Sequence, residues 1–417
     1  MSCSEWKESK LGEISLKITK GSTPTTLDSE FSDKGIKFYR SECLTDSRII
    51  DKNKAKYISK ETYDKMKRSQ LFENDILFSM AGAYLGKTSI VMKDDIPANI
   101  NQAVAIIRPD CESISYRYLY YYLNQKRVVE YVNNISSQSA QPNINLKQIG
   151  EIPIKYPKLE EQEKIADVLS FLDDKIELNN EMNKTLEEMA QSIFKRWFVD
   201  FEFPNEDGQP YKSSGGEMVE SELGMIPKGW KVKNLDEIAN YLNGLAMQRF
   251  RPSKEDNESL PVLKIKELKQ GATSNDSDRC SCNIDDKYII NDGDVIFAWS
   301  GSLDVRIWCG GKAGLNQHLF KVTSKDYPKW FYYLWTKRYL DEFIKIAEDR
   351  ATTMGHIKRS NLSEAKVLVP NQKAMEKMGE KLSYLIELFI QKSIEIRTLG
   401  ELRNTLLPKL MSGKINI

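Results

Sequence analysis

The chain has 417 residues, 40% hydrophobic and 10% aromatic, a composition that suits folded globular domains and leaves room for roughly three at about 150 residues each. No run of 18 apolar residues occurs, and the N-terminal MSCSEWKESKLGEI lacks the apolar stretch of a secretory leader, so the expected setting is the cytoplasm, away from a membrane. Six cysteines in so long a chain make no disulfide framework, and the net charge of +1 averages over a pattern: +4 over residues 1–157, −9 over 158–228, and +3 over each of 229–372 and 373–417.

Residues 1–157 read as a compact α/β domain. Asp75–Met80 is a short apolar run after a polar turn, closed by Gly82, and predicts a buried strand; Tyr116–Tyr131 predicts a helix with an aromatic face. From residue 158 the period changes. Ile165, Leu172, Asn179, Leu186 and Ile193 fall at intervals of seven, and Leu169, Ile176 and Ala190 follow four residues after members of that row. Positions i and i+4 share a helix face, so this is one long helix with a continuous apolar stripe. At about 1.5 Å per residue the stripe from Ile165 to Ile193 runs roughly 42 Å. The Pro-, Gly-, Ser- and acid-rich stretch from Phe198 to Pro227 completes the block 158–228 as a connector.

Residues 229–372 then repeat the first domain. Trp6, Leu11 and Ile14 recur 224 residues later as Trp230, Leu235 and Ile238. NDILFSMAG recurs as DGDVIFAWSG, with Asp75 matching Asp294 and Phe78 matching Phe297. Asn101-Gln102 matches Asn316-Gln317, YLYYYL at 118–123 matches WFYYLW at 330–335, and Pro157 matches Pro370. Asp294–Trp299 is the second copy of the buried strand, and Pro328–Ile346 of the aromatic helix. Residues 373–417 form a second long helix on Met378, Leu385, Leu399 and Leu406, with Leu382, Phe389, Ile396 and Leu410 beside them. Lys392 interrupts this stripe, opposite in register to Asn179 in the first. Two stripes of matched length bury each other most simply as an antiparallel coiled coil. The predicted architecture is therefore two tandem α/β domains separated by two long helices, with pseudo-two-fold symmetry.

This order of domain, long helix, domain and long helix resembles the specificity subunits of type I restriction–modification enzymes. The local wording is similar too: KGSTP at 20–24, IPIKYPKLEEQEKIADVLSFLDDKIELNN at 152–180, SIFKRWFVDFEFP and GMIPKGW around the connector, and LLPKLMSGKI at 406–415. Pro370-Asn-Gln372 departs from the pattern, lacking the pair Glu161-Gln162 of the first half. The resemblance implies a non-catalytic DNA-recognition subunit. Each domain would be a target-recognition domain reading one half of a bipartite, asymmetric double-stranded DNA sequence. It implies two DNA adenine methyltransferase (M) subunits as partners, with restriction/translocase (R) subunits, two in number, as further candidates. S-adenosylmethionine, ATP and magnesium would act on those partners, with no cofactor in this chain.

Sequence choice should lie in polar loops where the two copies differ. In the first domain these are Lys20, Ser22 and Thr23; Tyr39, Arg40, Ser41 and Glu42; Ser79, Tyr84 and Lys87; and Ser137, Gln138, Ser139 and Gln141. In the second they are Gln248, Arg249 and Arg251; Lys264 and Lys266; Trp299 and Ser300; and Arg350, Thr352, Thr353 and His356. Arg and Lys suit guanine edges and Gln suits adenine, with phosphate contacts fixing register.

Other chemistry has little support. Gly86-Lys87-Thr88 imitates a phosphate loop, but the β-branched TSIVM follows where a helix should open. Cys280, Cys282, Cys309 and His318 match no common zinc spacing. Asp292 and Asp294 with Lys312 imitate a nuclease cluster, yet Asp294 matches Asp75 as a turn residue. Two histidines give acid–base catalysis little material. The competing reading is a helical protein-interaction scaffold without sequence-specific DNA reading; the two mildly basic domains argue against it.

Overall fold

Ile76, Leu77, Phe78 and Ser79 are all buried and form the middle of the first domain's main sheet. The computed structural model describes residues 6–24, 31–45, 47–136, 143–253, 258–349, 355–415 and 417. The sheet is antiparallel throughout, in the order Ser15–Lys20, Val104–Pro109, Ile76–Ser79, Thr88–Ile90. Successive side chains on a strand point to opposite faces. Ile76 and Phe78 accordingly join the core that holds Tyr118, Leu119 and Val128 of the helices. Leu77 joins a second core with Tyr39, Ile100 and Ile106. A strand covered on both faces needs apolar residues in succession, as Ile76, Leu77 and Phe78 are. The second face is covered by a smaller sheet of Lys56–Ile58, Ile36–Tyr39 and Ala98–Ile100, whose last two strands run parallel.

The turn into the central strand explains Asp75. Its carboxylate accepts from the Phe72 amide at 2.9 Å and from Arg108 at 2.7 and 2.8 Å, which compensates its complete burial. Asn74 before it has φ 69°, the left-handed region that Asn tolerates. Asp294 repeats the device, accepting from Asn291 at 2.8 Å and from Lys321 at 2.8 Å, with Gly293 at φ 85°.

The remaining topology is repeated as well. In residues 229–372 the main sheet is Asn240–Asn243, Leu319–Thr323, Val295–Ala298, Asp304–Ile307, again antiparallel. The smaller sheet is Arg279–Ser281, Ser259–Leu263, Ala313–Leu315, Ile289–Ile290, with its middle pair parallel and one strand more than in the first copy. Each domain is closed by its own end strands: Lys7–Lys10 pairs with Pro153–Tyr156, and Lys231–Asn234 with Lys366–Val369.

The aromatic helices differ from expectation. Tyr116–Tyr131 is two helices, Tyr116–Leu123 and Lys126–Ser136, and Pro328–Ile346 is Lys329–Arg338 followed by Leu340–Asp349. Asn124 ends the first, its side-chain amide turning to the Tyr120 carbonyl at 2.7 Å and the Thr88 hydroxyl at 2.6 Å. That local bond competes with helix continuation.

The long helices run Leu159–Phe198 and Gln372–Leu410. The first opens with Glu160 and Glu161 and ends with Lys195 and Arg196, charges that oppose the helix dipole at both ends. The buried Gln162 ties its start to the first domain, accepting from the Ser115 amide and donating to the Pro157 carbonyl, both at 2.9 Å. The second helix lacks that glutamine and starts on Asn371, which caps the Ala374 amide at 2.9 Å.

The chain divides into two compact units, Met1–Asp174 with Gly400–Ile417, and Lys175–Leu399. Each contains a stretch of both helices, paired antiparallel. In the first unit Arg403 bonds Asp173 at 2.6 Å, and Ile165, Leu169 and Leu410 are buried together with Leu406 half-buried against them. In the second unit Asn183 donates to Ser393 at 2.9 Å, while the connector's Asn205 carbonyl meets Lys377 at 2.7 Å near the start of the second helix. Leu186, Met378, Leu382 and Leu385 are buried there, with Ile193 and Phe389 partly so. Leu172 is buried; Ile176, Ile396 and Leu399 are half-buried. The two polar interruptions are not level with each other: Asn183 stands across from Ser393, which places Asn179 nearer Arg397 than Lys392. Lys392 instead pairs with Glu395 at 2.7 Å along its own helix.

Candidate nucleic-acid interface

In each domain, three loops far apart in sequence meet where the parallel strands of the small sheet end. In the first domain they are 20–24, 40–43 and 101–103. The Gly21 amide donates to the Val104 carbonyl at 3.4 Å, and the Asn101 amide to the Tyr39 carbonyl at 3.1 Å. In the second domain the Gly244 amide donates to Leu319 at 3.0 Å, and the Asn316 amide to Leu263 at 3.2 Å. Both glycines are forced by close approach. A Cβ on Gly21 would lie 1.9 Å from the Ile100 oxygen, and one on Gly244 would lie 2.2 Å from the Asn316 oxygen.

The first corner gathers several expected residues. Lys20 is exposed, and Ser22 and Thr23 are half-buried. The Thr23 hydroxyl donates to the Gln102 amide oxygen. Arg40 pairs with Glu42, and the Ser41 hydroxyl reaches the Ala103 carbonyl at 3.4 Å. Tyr84 and Lys87 form a separate pair on the neighbouring hairpin, the ammonium 5.6 Å from the ring centre. Two expected residues are corrected. Ser79 is completely buried, because the strand it ends is covered on both faces. Tyr39 is also completely buried; its hydroxyl is 3.3 Å from the Asp95 carbonyl, and burial pushes its ionisation far above the ordinary tyrosine range. Neither side chain is open to a duplex.

The second corner carries different chemistry on the same backbone. Gln248, Arg251, Lys264, Asp278, Arg279 and Asn316 share an open cavity of about 500 Å³. Lys264, standing where Arg40 stands in the first copy, pairs with Asp278 and holds its carboxyl below the usual range. Arg249 and Lys266 are exposed nearby in sequence. Trp299 is half-buried, its indole donating to Asn243 at 3.0 Å and its ring stacked on Phe320 at 5.5 Å. Ser300 is buried, so its side chain too is not open to a duplex; its hydroxyl lies 2.9 Å from His318 Nδ1. His356 is exposed, edge-on to Trp299 at 6.3 Å. Ser137, Gln138, Ser139, Gln141, Arg350, Thr352 and Thr353 lie outside the described residues.

Sequence reasoning used Asn101-Gln102 and Asn316-Gln317 as repeat markers and missed that each pair sits in its own domain's corner, Gln102 accepting from Thr23 and Gln317 lying beside His318. Their recurrence next to a polar loop was the available signal. Asp292, weighed as part of a nuclease cluster, is gripped by Arg397 instead, and that guanidinium holds its carboxyl below the usual range.

A family model described as the type I restriction modification DNA specificity domain matches residues 3–188 and again 227–398. The chain belongs to that family. Its role is therefore DNA recognition within a type I restriction–modification system, and the two matches coincide with the duplicated topology. Over 99% of its length it is 28% identical to the type I restriction enzyme MjaIX specificity subunit of Methanocaldococcus jannaschii, covering 94% of that protein. It is 23% identical to the HindI specificity subunit of Haemophilus influenzae, over 99% of this chain and all of that one. The fold resembles the crystal structure of the S subunit of a type I restriction–modification system from M. genitalium, with TM-score 0.58 at 15% identity, covering 98% and 96% of the two chains. Among the described residues, no helix is long and apolar enough to cross a membrane.

Proposed function

We propose that residues 1–157 and 229–372 each read one half of a bipartite, asymmetric DNA sequence, and that the chain carries no catalytic centre of its own. The observation that carries this reading is the duplicated loop corner: one backbone arrangement, held by equivalent hydrogen bonds, presenting different polar and cationic side chains in the two copies. Two readers of the same build with different contacts are what an asymmetric split site requires. Base edges in the major groove supply the choice, and phosphates the register. The paired long helices set the distance between half-sites, which for neighbouring major grooves is about 34–36 Å.

Methyl transfer and cleavage then belong to docked partners: two methyltransferase subunits and two restriction/translocase subunits, which hold S-adenosylmethionine, ATP and magnesium. Phe171, Leu178 and Met189 support a docking role for the first long helix. They are exposed at 70%, 50% and 46%, and their spacing places them on one helix face.

The test is a selection from randomised duplexes with the chain assembled on its methyltransferase subunits. A split motif with a fixed spacer is expected, and exchanging residues 1–157 for those of another member should rewrite one half only. No split motif would leave the helical scaffold as the better reading. Nuclease or methylase activity in the isolated chain would overturn the non-catalytic assignment.

A further inference from the structure

The two domains act as controls for each other. A feature common to both cannot carry the difference between the half-sites they read. A feature built on the same backbone with different side chains can. Glycine, asparagine and glutamine recur in both corners as Gly21, Asn101 and Gln102, and as Gly244, Asn316 and Gln317, and each corner adds a cation, Arg40 or Lys264. These shared groups suit contacts that every half-site offers, namely phosphates.

One cluster breaks the likeness. In the first domain the Ile144 amide bonds the Met80 carbonyl at 2.9 Å, and Ala81 bridges to Asn143. In the second domain the Ile357 amide bonds the Trp299 carbonyl at 3.1 Å, and Ser300 bridges to His356. The backbone is repeated between the copies, and Ile144 is matched by Ile357, while the other side chains around it change. Met80 becomes Trp299, Ala81 becomes Ser300, Ala103 becomes His318 and Asn143 becomes His356. A site whose one polar side chain is Asn143 in one copy is a ring-and-imidazole site in the other. Both histidines of the chain flank the same tryptophan, at 6.4 and 6.3 Å.

The cluster is also ordered by its own bonds. Asn243 and Phe320 fix the Trp299 ring. Ser300 fixes His318 through Nδ1, and the Gln317 amide nitrogen lies 3.3 Å from its Nε2. An imidazole held at one nitrogen by a hydroxyl and at the other by an amide has a set orientation and a limited choice of tautomer.

We infer that Trp299, Ser300, His318 and His356 are the residues that distinguish the second half-site from the first, reading a base edge there, while Gln102 and Gln317 hold the backbone in both. This rests on the DNA-reading function proposed above. Within it, Ser300 is a positioning residue acting through His318, and His356 is the most open of the four.

The experiment uses the full chain assembled on its methyltransferase subunits and the duplex selection described above. Replacing the four residues by their first-domain counterparts (W299M, S300A, H318A, H356N) should change base preference by roughly ten-fold at one or two positions of the half-site read by residues 229–372, leaving the other half unchanged. His356→Asn alone, at an exposed position that does not threaten folding, and His318→Gln, which keeps a hydrogen-bonding group beside Ser300, should each shift preference at a subset of those positions. Gln102→Ala, which lies in the other domain and bonds Thr23 rather than any of the four residues, should weaken binding evenly across sequences. The inference is overturned if the four-residue exchange leaves the second half-site's preferences intact, or if His356→Asn and His318→Gln weaken all duplexes equally. An unaltered complex that selects a split motif keeps the proposed function standing in that case; one that selects none overturns both.

Discussion

Arg397 grips Asp292 with two parallel hydrogen bonds, Nη1 to Oδ1 at 2.7 Å and Nη2 to Oδ2 at 2.8 Å, and also donates to the Cys309 carbonyl at 2.7 Å. The pair fastens the second long helix to a turn of the second domain. Both side chains are about a quarter exposed, at 28% and 25%, so solvent screens the pair in part and its net worth is about 1–2 kcal/mol. Arg397→Met should cost about that much in urea denaturation. The pH dependence has a definite sign. Asp292 is held below its usual range chiefly by the Arg397 hydrogen bonds, so its contribution is complete above the unfolded value of about 4 and is lost as pH falls through the lower folded value. The unaltered protein should therefore lose part of its lead over Arg397→Met below about pH 4. A difference that stays constant down to pH 2 would refute the assignment.

Leu382 and Tyr384 are two residues apart on one helix and opposite in consequence. Leu382 is fully buried and Tyr384 is 64% exposed. Leu382→Ala should destabilise by about 2–4 kcal/mol, transfer and cavity costs together. Tyr384→Ala should stay within about 0.5 kcal/mol. Equal losses in denaturant midpoint would place the apolar seam elsewhere on the helix.

Gly21→Ala and Gly244→Ala should both prevent normal folding, because the added carbon meets backbone oxygen that no rotamer change can clear. Gly82→Ala has open space and pays only for its φ of 69°, about 1 kcal/mol. Circular dichroism melts of the three variants separate the cases; a Gly244→Ala protein as stable as Gly82→Ala would rule out the close approach.

Inserting one heptad into each long helix, in register, adds about 10 Å of rod. The preferred spacer between half-sites should lengthen by about three base pairs at roughly 3.4 Å each, with both half-site sequences unchanged. Selection from duplexes of graded spacing reads this directly, and an unchanged spacer would mean that the helices do not set it.

Much of this fold is legible in the sequence because two periods dominate it. Sevens from Ile165 to Ile193 give the first long helix, and the short apolar runs Ile76–Phe78 and Val295–Ala298 give the buried strands. What the pattern hides is decided by distant partners. The helix break at Asn124 depends on the Thr88 hydroxyl, from a strand 36 residues earlier. Tyr39 and Ser79 look like loop-edge polar groups in one dimension and are buried once a second sheet covers the first. The loop corners arise because Ile36–Tyr39 and Ala98–Ile100 run parallel, a pairing across some sixty residues that local pattern cannot announce. Hence Gln102 and Gln317 were visible as a repeat and invisible as neighbours of a candidate surface.

Leu410 and Met411 are buried in the first domain's core, against residues made more than two hundred positions earlier. Translation therefore delivers the parts out of order: the second unit has all its pieces once Leu399 is made, whereas the first must wait for them. At about 5–20 residues per second, the delay between residues 174 and 411 is some tens of seconds. During that interval the apolar residues that Leu410 and Met411 cover in the finished chain wait for this part of their cover.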